Sequence, residues 1–418
     1  MLGKTINKLF KTGFFHIFGS SIVNKLISFA SNMILVRILS KVDYGVYTYA
    51  FNIVSLLLIA SGLGIPSGLL QLLSEIGTDK DKADKIYSCG SGIALRFNVL
   101  LMLCIIIIGV FVPLKIDGAN GYLLWMSLIP ICDMAFTLQT TYMRSLLMTQ
   151  KYAYSNNINS CAICGFSIIG ALFAGAKGLI IGRYIANLFT ILIVWKLFDT
   201  PVRFRKVQGE NIQNIKELVN ISIVSAANNG ISQLLYLLDI FIIGIVISDQ
   251  SVIASYKVAT TIPTALTFVP LAVITYVYPY FALHREEKQW VKGHYIKLVT
   301  AMGIMNLLIA IPAIIFAPLI VRICFGNKYL DAVLIFRVLM LNYFISGTFR
   351  IISGNLLVTQ RELKFNLMVS VISGIVNIIG NIILISRFGA IGATITTVLV
   401  VVISSIISTA KFYSNIKE

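Results

Sequence analysis

The sequence predicts an all-α membrane protein with about twelve transmembrane helices. Hydrophobic residues make up 57% of the 418-residue chain. Charged residues make up only 12%, whereas a soluble domain has roughly a quarter. Apolar runs recur from one end of the chain to the other, and about 20 apolar residues suffice to cross a bilayer as a helix. This composition excludes the soluble globular classes.

The predicted spans are separated by short loops. They are 14–39, 44–73, 86–112, 120–148, 152–174, 178–199, 213–247, 250–281, 294–318, 331–358, 363–386 and 389–412. The longest hydrophilic stretch, residues 196–216, lies midway along the chain. It divides the chain into two predicted six-helix bundles, residues 1–205 and 206–418.

The two halves resemble one another in sequence. Residues 146–151 (LLMTQK) return as residues 356–361 (LLVTQR), a shift of 356 minus 146, or 210. Near a shift of 209, Tyr47 corresponds to Tyr256. Six spans per half would give both halves the same orientation in the membrane. In transporters built from such repeats, binding sites lie at the repeat interface near the bilayer midplane.

The positive charge is explained by membrane topology. Net charge is +17, from 34 Lys and Arg against 17 Asp and Glu. Outside the deeper span positions, one alternating set of inter-span segments holds 21 Lys and Arg, and the other set holds 6. The positive-inside rule therefore predicts that both termini are cytoplasmic. No nucleic-acid partner is expected.

The first predicted span has a polar face that carries a charge near mid-membrane. Asn24, Ser28 and Asn32 recur every four residues, beside Lys25. A lysine at that depth costs at least about 2.5–3.5 kcal/mol on insertion scales. Such a residue indicates a wet cavity or an opposing charge. The seventh span repeats the polar pattern with Asn228, Asn229, Gln233 and Tyr236.

Seven basic and two acidic side chains lie inside the predicted spans. The bases are Lys25, Arg37, Arg96, Arg183, Lys257, Arg337 and Arg350, and the acids are Asp133 and Asp239. Arg37, Arg183 and Arg337 lie near span ends, where a long side chain reaches the headgroups, which favours a structural interpretation. Lys25, Arg96 and Arg350 lie deeper, and Lys257 is intermediate. For these four, a substrate-binding role is favoured.

The sign of the excess charge points to an anionic ligand. A site for cationic drugs or metal ions would favour carboxylates, whereas Lys and Arg pair with phosphate oxygens. In span 10, one helix side carries Tyr343, Ser346, Arg350 and Ser353. Such hydroxyls and amides have a second interpretation, as interhelical hydrogen bonds. Asp133 and Asp239 are either salt-bridge partners or protonatable ion-coupling sites.

No motif predicts catalysis or a cofactor. The sequence has no G-x-x-x-x-G-K-[ST] phosphate loop, so ATP hydrolysis by this chain is not expected. His16, His284 and His294 are scattered along the chain, and no metal site is predicted. We therefore expect a transporter that is not an enzyme.

Four segments in order resemble a known family. They are SKVDYGVY at 40–47, YPYF at 278–281, FGNKY at 325–329 and RFGAIGA at 387–393. With the span count and length, they resemble the Wzx-type O-antigen flippases. These are polysaccharide transporters of the MOP (multidrug/oligosaccharidyl-lipid/polysaccharide) exporter superfamily. The resemblance covers essentially the whole chain.

The resemblance implies a MATE-like fold, with two six-helix bundles forming a V around a central cavity. It implies a flippase of the bacterial inner membrane, acting in lipopolysaccharide assembly. The cargo would be an undecaprenyl-pyrophosphate-linked oligosaccharide repeat unit, carried from the cytoplasmic to the periplasmic leaflet. Membrane lipids, a polysaccharide polymerase and a chain-length regulator are the implied partners. We expect the deep basic residues to attract the pyrophosphate, and the polar residues of spans 1 and 7 to contact sugar.

Two other functions remain open. A cation-coupled multidrug antiporter on the same fold would require Asp133 and Asp239 and dispense with the basic residues. A membrane polysaccharide polymerase or glycosyltransferase would need a sizeable external loop, which the short loops argue against. Within the flippase interpretation, the cargo could also be a teichoic-acid, exopolysaccharide or peptidoglycan precursor.

Overall fold

A computed structural model describes residues 14–76, 80–198, 200 and 212–417. Within these ranges the chain consists of helices and short connections, with no β-strand. The all-α membrane fold predicted from composition is confirmed. The side chains of Asn228, Asn229 and Tyr236 lie outside the described part, as do residues 201–211 in the predicted linker.

The first half contains seven helices and a 3₁₀ turn. They are α1 (Phe14–Ile38), α2 (Lys41–Leu58), the turn Ser61–Gly64, α3 (Ile65–Ile76), α4 (Lys80–Phe111), α5 (Ala119–Trp125), α6 (Ile129–Ser145) and α7 (Thr149–Phe198). Helix α2 begins at Ser40, whose hydroxyl accepts the backbone N–H of Asp43, as an N-cap does. Positive φ angles at Gly62 and Gly64 break predicted span 2 into α2 and α3.

Nine helices and two irregular turns follow. They are α8 (Ile212–Val246), α9 (Gln250–Leu266), α10 (Phe268–Leu283), α11 (Lys288–Ile315), α12 (Ala317–Phe325), the 3₁₀ turn Asn327–Ala332, α13 (Val333–Ile345), the π-turn Ser346–Arg350, α14 (Ile351–Thr359), α15 (Leu363–Phe388) and α16 (Ala390–Lys417). Each of the twelve predicted spans falls on one of these helices or on a broken pair.

Nine helices in the described residues are long and apolar enough to cross a membrane. The number is ten if α5 and α6, bent by 40°, count as one broken span. Helix α7 counts once although its 50 residues cover two predicted spans, 152–174 and 178–199. Large apolar side chains such as Phe173 (88% exposed) and Leu172 (65% exposed) face outward along it. Such exposure is expected of a lipid-facing surface and not of a soluble one.

Helix α7 is a hairpin of two antiparallel arms. Ala174 and Gly175 leave the helical conformation, and Gly175 has φ 59° and ψ −141°. Gly178 packs on the carbonyl of Gly170, and Gly182 on that of Phe166, so closely that no Cβ would fit at either position. Close backbone approach at small residues is a common way for membrane helices to associate.

The second half repeats this hairpin at Gly389, between α15 and α16. Gly389 has φ 63° and ψ −145°, close to the angles of Gly175. The two glycines are 389 minus 175, or 214, residues apart. Leu147 and Arg361, both at positive φ, are also 214 apart. The register of 210 read from the LLMTQK and LLVTQR segments is therefore wrong by four residues here. The shift of 209 does match the helix N-caps Ser40 and Asp249.

The chain divides into two compact units, Met1–Leu234 and Leu235–Glu418. The division falls inside α8, whose first half packs on the first unit. A Cβ at Gly68 would lie 3.0 Å from the carbonyl oxygen of Leu218, and closer still to the Ser222 hydroxyl. Leu218 is buried in the core of that unit with Leu69. The division predicted at 205/206 from the hydrophilic linker stays a prediction.

Replacing Gly178 by Leu should destabilise the α7 hairpin, because the new side chain must displace the backbone at Gly170. Overpacking of this kind costs about 1–3 kcal/mol. The melting temperature of the purified protein in detergent measures it. Gly165→Leu is the matched control, because Gly165 is on the same helix and has open space around it. Equal melting temperatures for the two variants would contradict the hairpin.

Candidate functional site

A cavity of about 210 Å³ lies within the second unit. It brings together three of the charged residues singled out in the sequence: Lys257 on α9, Arg350 at the end of the π-turn, and Asp239 on α8. Tyr343 and Asn342 on α13 also line it. The site is thus assembled from helices that are distant in sequence, around two cations and one carboxylate.

Neither cation in the cavity forms a salt bridge with an acid of the described residues. In the described part of the chain, no carboxylate lies within ion-pair distance of Lys257 or Arg350. Both side chains are half-buried. Two uncompensated positive charges inside a membrane protein are costly unless water or an anion compensates them. The cavity is therefore suited to an anionic group.

The hydroxyls near Lys257 are engaged by their own helix. Thr260 and Thr261 each donate a 2.8 Å hydrogen bond to the carbonyl of Lys257. This back-bonding satisfies the threonine donors and leaves the Lys257 ammonium as the strong donor on this wall.

Asp239 is buried, with 6% of its surface exposed, and is held by neutral donors. Its Oδ2 accepts hydrogen bonds of 2.8 Å from Tyr256 and 2.8 Å from Thr397. Its Oδ1 accepts hydrogen bonds of 3.1 Å from Asn377 and 2.7 Å from Asn381. The four donors come from α9, α15 and α16. Since no base pairs with Asp239 in the described residues, the group is arranged as an isolated carboxylate.

Asp133, by contrast, forms a salt bridge. Its Oδ2 lies 2.8 Å from the Arg183 guanidinium, and its Oδ1 accepts a 2.8 Å hydrogen bond from Asn187. Arg183 also lies over the ring of Phe51, 4.9 Å from its centre. The sequence position of Arg183 predicts that it reaches the headgroups from a span end. Instead it joins α2, α6 and the second arm of α7.

The polar face of α1 is divided between packing and exposure. Asn24 donates to Ser20, whose hydroxyl donates in turn to Asn157 of α7 at 2.7 Å. Asn32 accepts a 2.9 Å hydrogen bond from Tyr44. These contacts match the interhelical interpretation of the polar residues.

The remaining predicted residues of the first unit whose side chains the structure describes are exposed. They are Lys25 and Ser28 on α1, Arg96 on α4 and Gln233 on α8. The structure places none of them in the cavity of the second unit, whose lining begins at Leu237.

Known proteins share the family and the fold of this chain. A family model described as "Polysaccharide biosynthesis protein" matches residues 34–334, well over half of the chain. The chain belongs to this family. The resemblance seen in the sequence is thereby confirmed for the family. No curated protein matches the chain in sequence.

Solved structures share the fold of this polysaccharide biosynthesis protein. The lipid II flippase MurJ in an inward closed conformation has a TM-score of 0.73 at 16% identity, covering 96% of this chain and 87% of that one. A multidrug resistance MATE transporter of the MOP superfamily, inward-facing, has a TM-score of 0.72 at 13% identity, covering 94% and 96%. A MOP superfamily transporter from Pyrococcus furiosus has a TM-score of 0.55 at 12% identity, covering 97% and 96%. The predicted MATE-like MOP fold is confirmed, since the flippase and the two transporters share it.

The four donors to Asp239 are not among the site residues that the sequence predicts. They are Tyr256, Asn377, Asn381 and Thr397. The available signal was a pair of asparagines four residues apart in an otherwise apolar span, which puts both on one helix face. It was weak because asparagines also join membrane helices without binding anything.

Asp133→Asn should destabilise the protein by leaving Arg183 unpaired. We expect a loss of about 2 kcal/mol, less than for a fully buried pair because 28% of the Asp133 side chain and 20% of the Arg183 side chain are exposed. The double variant Asp133→Asn/Arg183→Gln should recover most of the loss. Melting temperatures in detergent test this. If the double variant is no more stable than the single one, the salt bridge does not have this role.

Proposed function

We propose that the protein is a flippase for an undecaprenyl-pyrophosphate-linked oligosaccharide repeat unit of the O-antigen type. It carries the unit from the cytoplasmic to the periplasmic leaflet of the bacterial inner membrane by alternating access, and it is not an enzyme. The observation that carries the proposal is the pair of unneutralised cations, Lys257 and Arg350, in one cavity. Membership of the polysaccharide biosynthesis family supports it.

The charges of the cavity suit a pyrophosphate group. An arginine guanidinium binds phosphate oxygens through two parallel hydrogen bonds, and a lysine ammonium acts as a point charge. Together, Arg350 and Lys257 can engage both phosphates of a pyrophosphate. Charge-assisted hydrogen bonds of this kind are roughly twice as strong as those between neutral groups.

The volume of the cavity limits what enters it. At about 210 Å³ it is smaller than the roughly 300–1,000 Å³ typical of pockets for drug-sized ligands. It accommodates the pyrophosphate and not a whole oligosaccharide. In the proposed mechanism the sugars therefore lie outside this cavity, and the polyprenyl tail stays in lipid. Ser28 and Gln233, which are exposed, are available for sugar contacts.

The other predicted residues have the following roles in this proposal. Lys25 and Arg96 are exposed cations that attract the anionic cargo to the first unit. Asp133 is structural through Arg183, and Asp239 is the carboxylate available for ion coupling. Both termini are cytoplasmic, and a polysaccharide polymerase and a chain-length regulator receive the product. No cofactor is needed.

The second candidate function is a cation-coupled multidrug antiporter. Its support is the MATE-like fold together with the isolated carboxylate of Asp239. It differs in requiring Asp239 and not the basic residues. A peptidoglycan precursor, or a teichoic-acid or exopolysaccharide intermediate, would use the same anionic head and is a variant of the first proposal.

Arg350→Ala and Lys257→Ala should abolish surface O-antigen in a strain that lacks its own flippase and is complemented by this protein. Each variant removes one of the two cations that hold the pyrophosphate. Arg337→Ala is the matched control, because Arg337 lies on the same span but outside the cavity, donating to the carbonyl of Ile314. Surface polysaccharide is measured on gels, with the amount of each variant in the membrane matched by immunoblot.

The opposite pattern would favour the antiporter. In that case the basic variants would retain activity, and Asp239→Asn would remove resistance to cationic drugs.

A further inference from the structure

We propose that Asn306 on α11 is a positioning residue, which holds the π-turn Ser346–Arg350 and so aims Arg350 into the cavity. The inference rests on the proposed function to the extent that Arg350 binds the anionic head of the cargo. Asn306 does not itself line the cavity.

The π-turn lies where span 10 borders the cavity. The N–H of Ile351 donates to the carbonyl of Ser346, five residues earlier, where an α-helix would use four. Ser346 and Arg350 both line the cavity on this turn. Beyond it, Ser353 faces Tyr295 at 2.8 Å and Thr409 at 3.1 Å. Ser353 therefore packs between helices, in line with the second interpretation of the polar residues, and it does not line the cavity.

Asn306 contacts the π-turn and the α-helix that precedes it. It is fully buried. Its Nδ2 donates a 3.2 Å hydrogen bond to the Thr348 hydroxyl, in the middle of the turn. Its Oδ1 accepts a 2.8 Å hydrogen bond from Tyr343, which lines the cavity. A single side chain therefore links the irregular turn to the cavity wall.

Gly347 shows how closely the turn is held. A Cβ at this position would lie 2.9 Å from the Asn306 amide nitrogen and 3.3 Å from Pro270 on α10. The turn is thus enclosed between α10 and α11 with no space for a methyl group. Without Asn306, Tyr343 and Thr348 would lose a buried partner, and the turn would be free to relax. Relaxation of the π-turn to α geometry removes one residue from the turn. Each residue of an α-helix corresponds to a rotation of about 100°, so Arg350 would rotate by about that angle relative to Tyr343.

The first unit has an asparagine in a similar role. Asn98 on α4, 306 minus 98 or 208 residues earlier, is also fully buried. It accepts the N–H of Gly62 at 2.7 Å and donates to the carbonyl of Pro130 at 2.6 Å. Gly62 lies at the break between α2 and α3. In both units, then, a buried asparagine of the third span supports irregular backbone, which agrees with a positioning role better than with general packing.

The test is equilibrium binding of radiolabelled undecaprenyl pyrophosphate to the purified full-length protein in nanodiscs. Arg350→Ala should weaken binding by about tenfold or more, the loss expected for a hydrogen bond to a charged group. Asn306→Ala should weaken it to a similar extent. The double variant should bind no more weakly than Arg350→Ala alone, because both changes remove the same interaction.

Ser353→Ala is the control for a merely structural effect. Ser353 is buried on the same span and hydrogen-bonded between helices, but it lies one turn beyond Arg350. The binding by this variant should stay within about twofold of wild type, since the Ser353 side chain bonds Tyr295 and Thr409 and does not line the cavity. If Asn306→Ala does not give a monodisperse protein, Gly347→Ala displaces the same turn and should show the same non-additive loss.

The outcomes separate the two proposals. Wild-type binding by Asn306→Ala, or additive losses in the double variant, would overturn the positioning role and leave the flippase proposal intact. Wild-type binding by Arg350→Ala would remove the cavity from the proposed function, and the positioning role with it.

Discussion

The structure depends on how the protein compensates its charged side chains in the hydrocarbon core of the membrane, where no water is present to solvate them. An isolated charge in hydrocarbon is too costly to keep without a partner. Asp133 is matched by Arg183, and Asp239 by four neutral donors. Lys257 and Arg350 are the cavity residues left without a matching group in the described part of the chain. These two uncompensated cations therefore indicate that the ligand of the cavity is an anion.

The same medium explains how irregular backbone is treated. Non-helical backbone at membrane depth persists only where protein or water satisfies its polar groups. At the break, Asn98 accepts the backbone N–H of Gly62, whereas Asn306 holds the π-turn through the side-chain hydroxyl of Thr348. Buried asparagines suit this purpose, because one amide offers both donors and an acceptor. Polar residues in these spans thus serve backbone geometry as well as ligands.

Much of the fold follows from the sequence, because hydropathy and span length depend only on local composition. Lys257 and Arg350 are both predicted from the sequence as binding residues, and both line the cavity, but that they bind substrate stays a prediction. The partner of Arg183 could not be predicted, since pairing depends on how α6 and α7 are rotated about their axes. The π-turn could not be predicted either, because one added residue in a helical turn does not change the composition of the span. The repeat register of 210 differs by four residues from the one that the turns at Gly175 and Gly389 show, because a six-residue sequence match carries no information on backbone angles.

The hairpin turns have a consequence for how the chain is made. Only Ala174 and Gly175 separate the two arms of α7, and their backbones touch at Gly170 and Gly178. A connection of two residues is too short to form a polar loop on the far side of the membrane. The first arm therefore has no loop to hold it in place while the second arm is still being synthesised. We expect the two arms to enter the bilayer together, as one unit of membrane insertion. The duplicated turn at Gly389 would make the last pair of helices a second such unit.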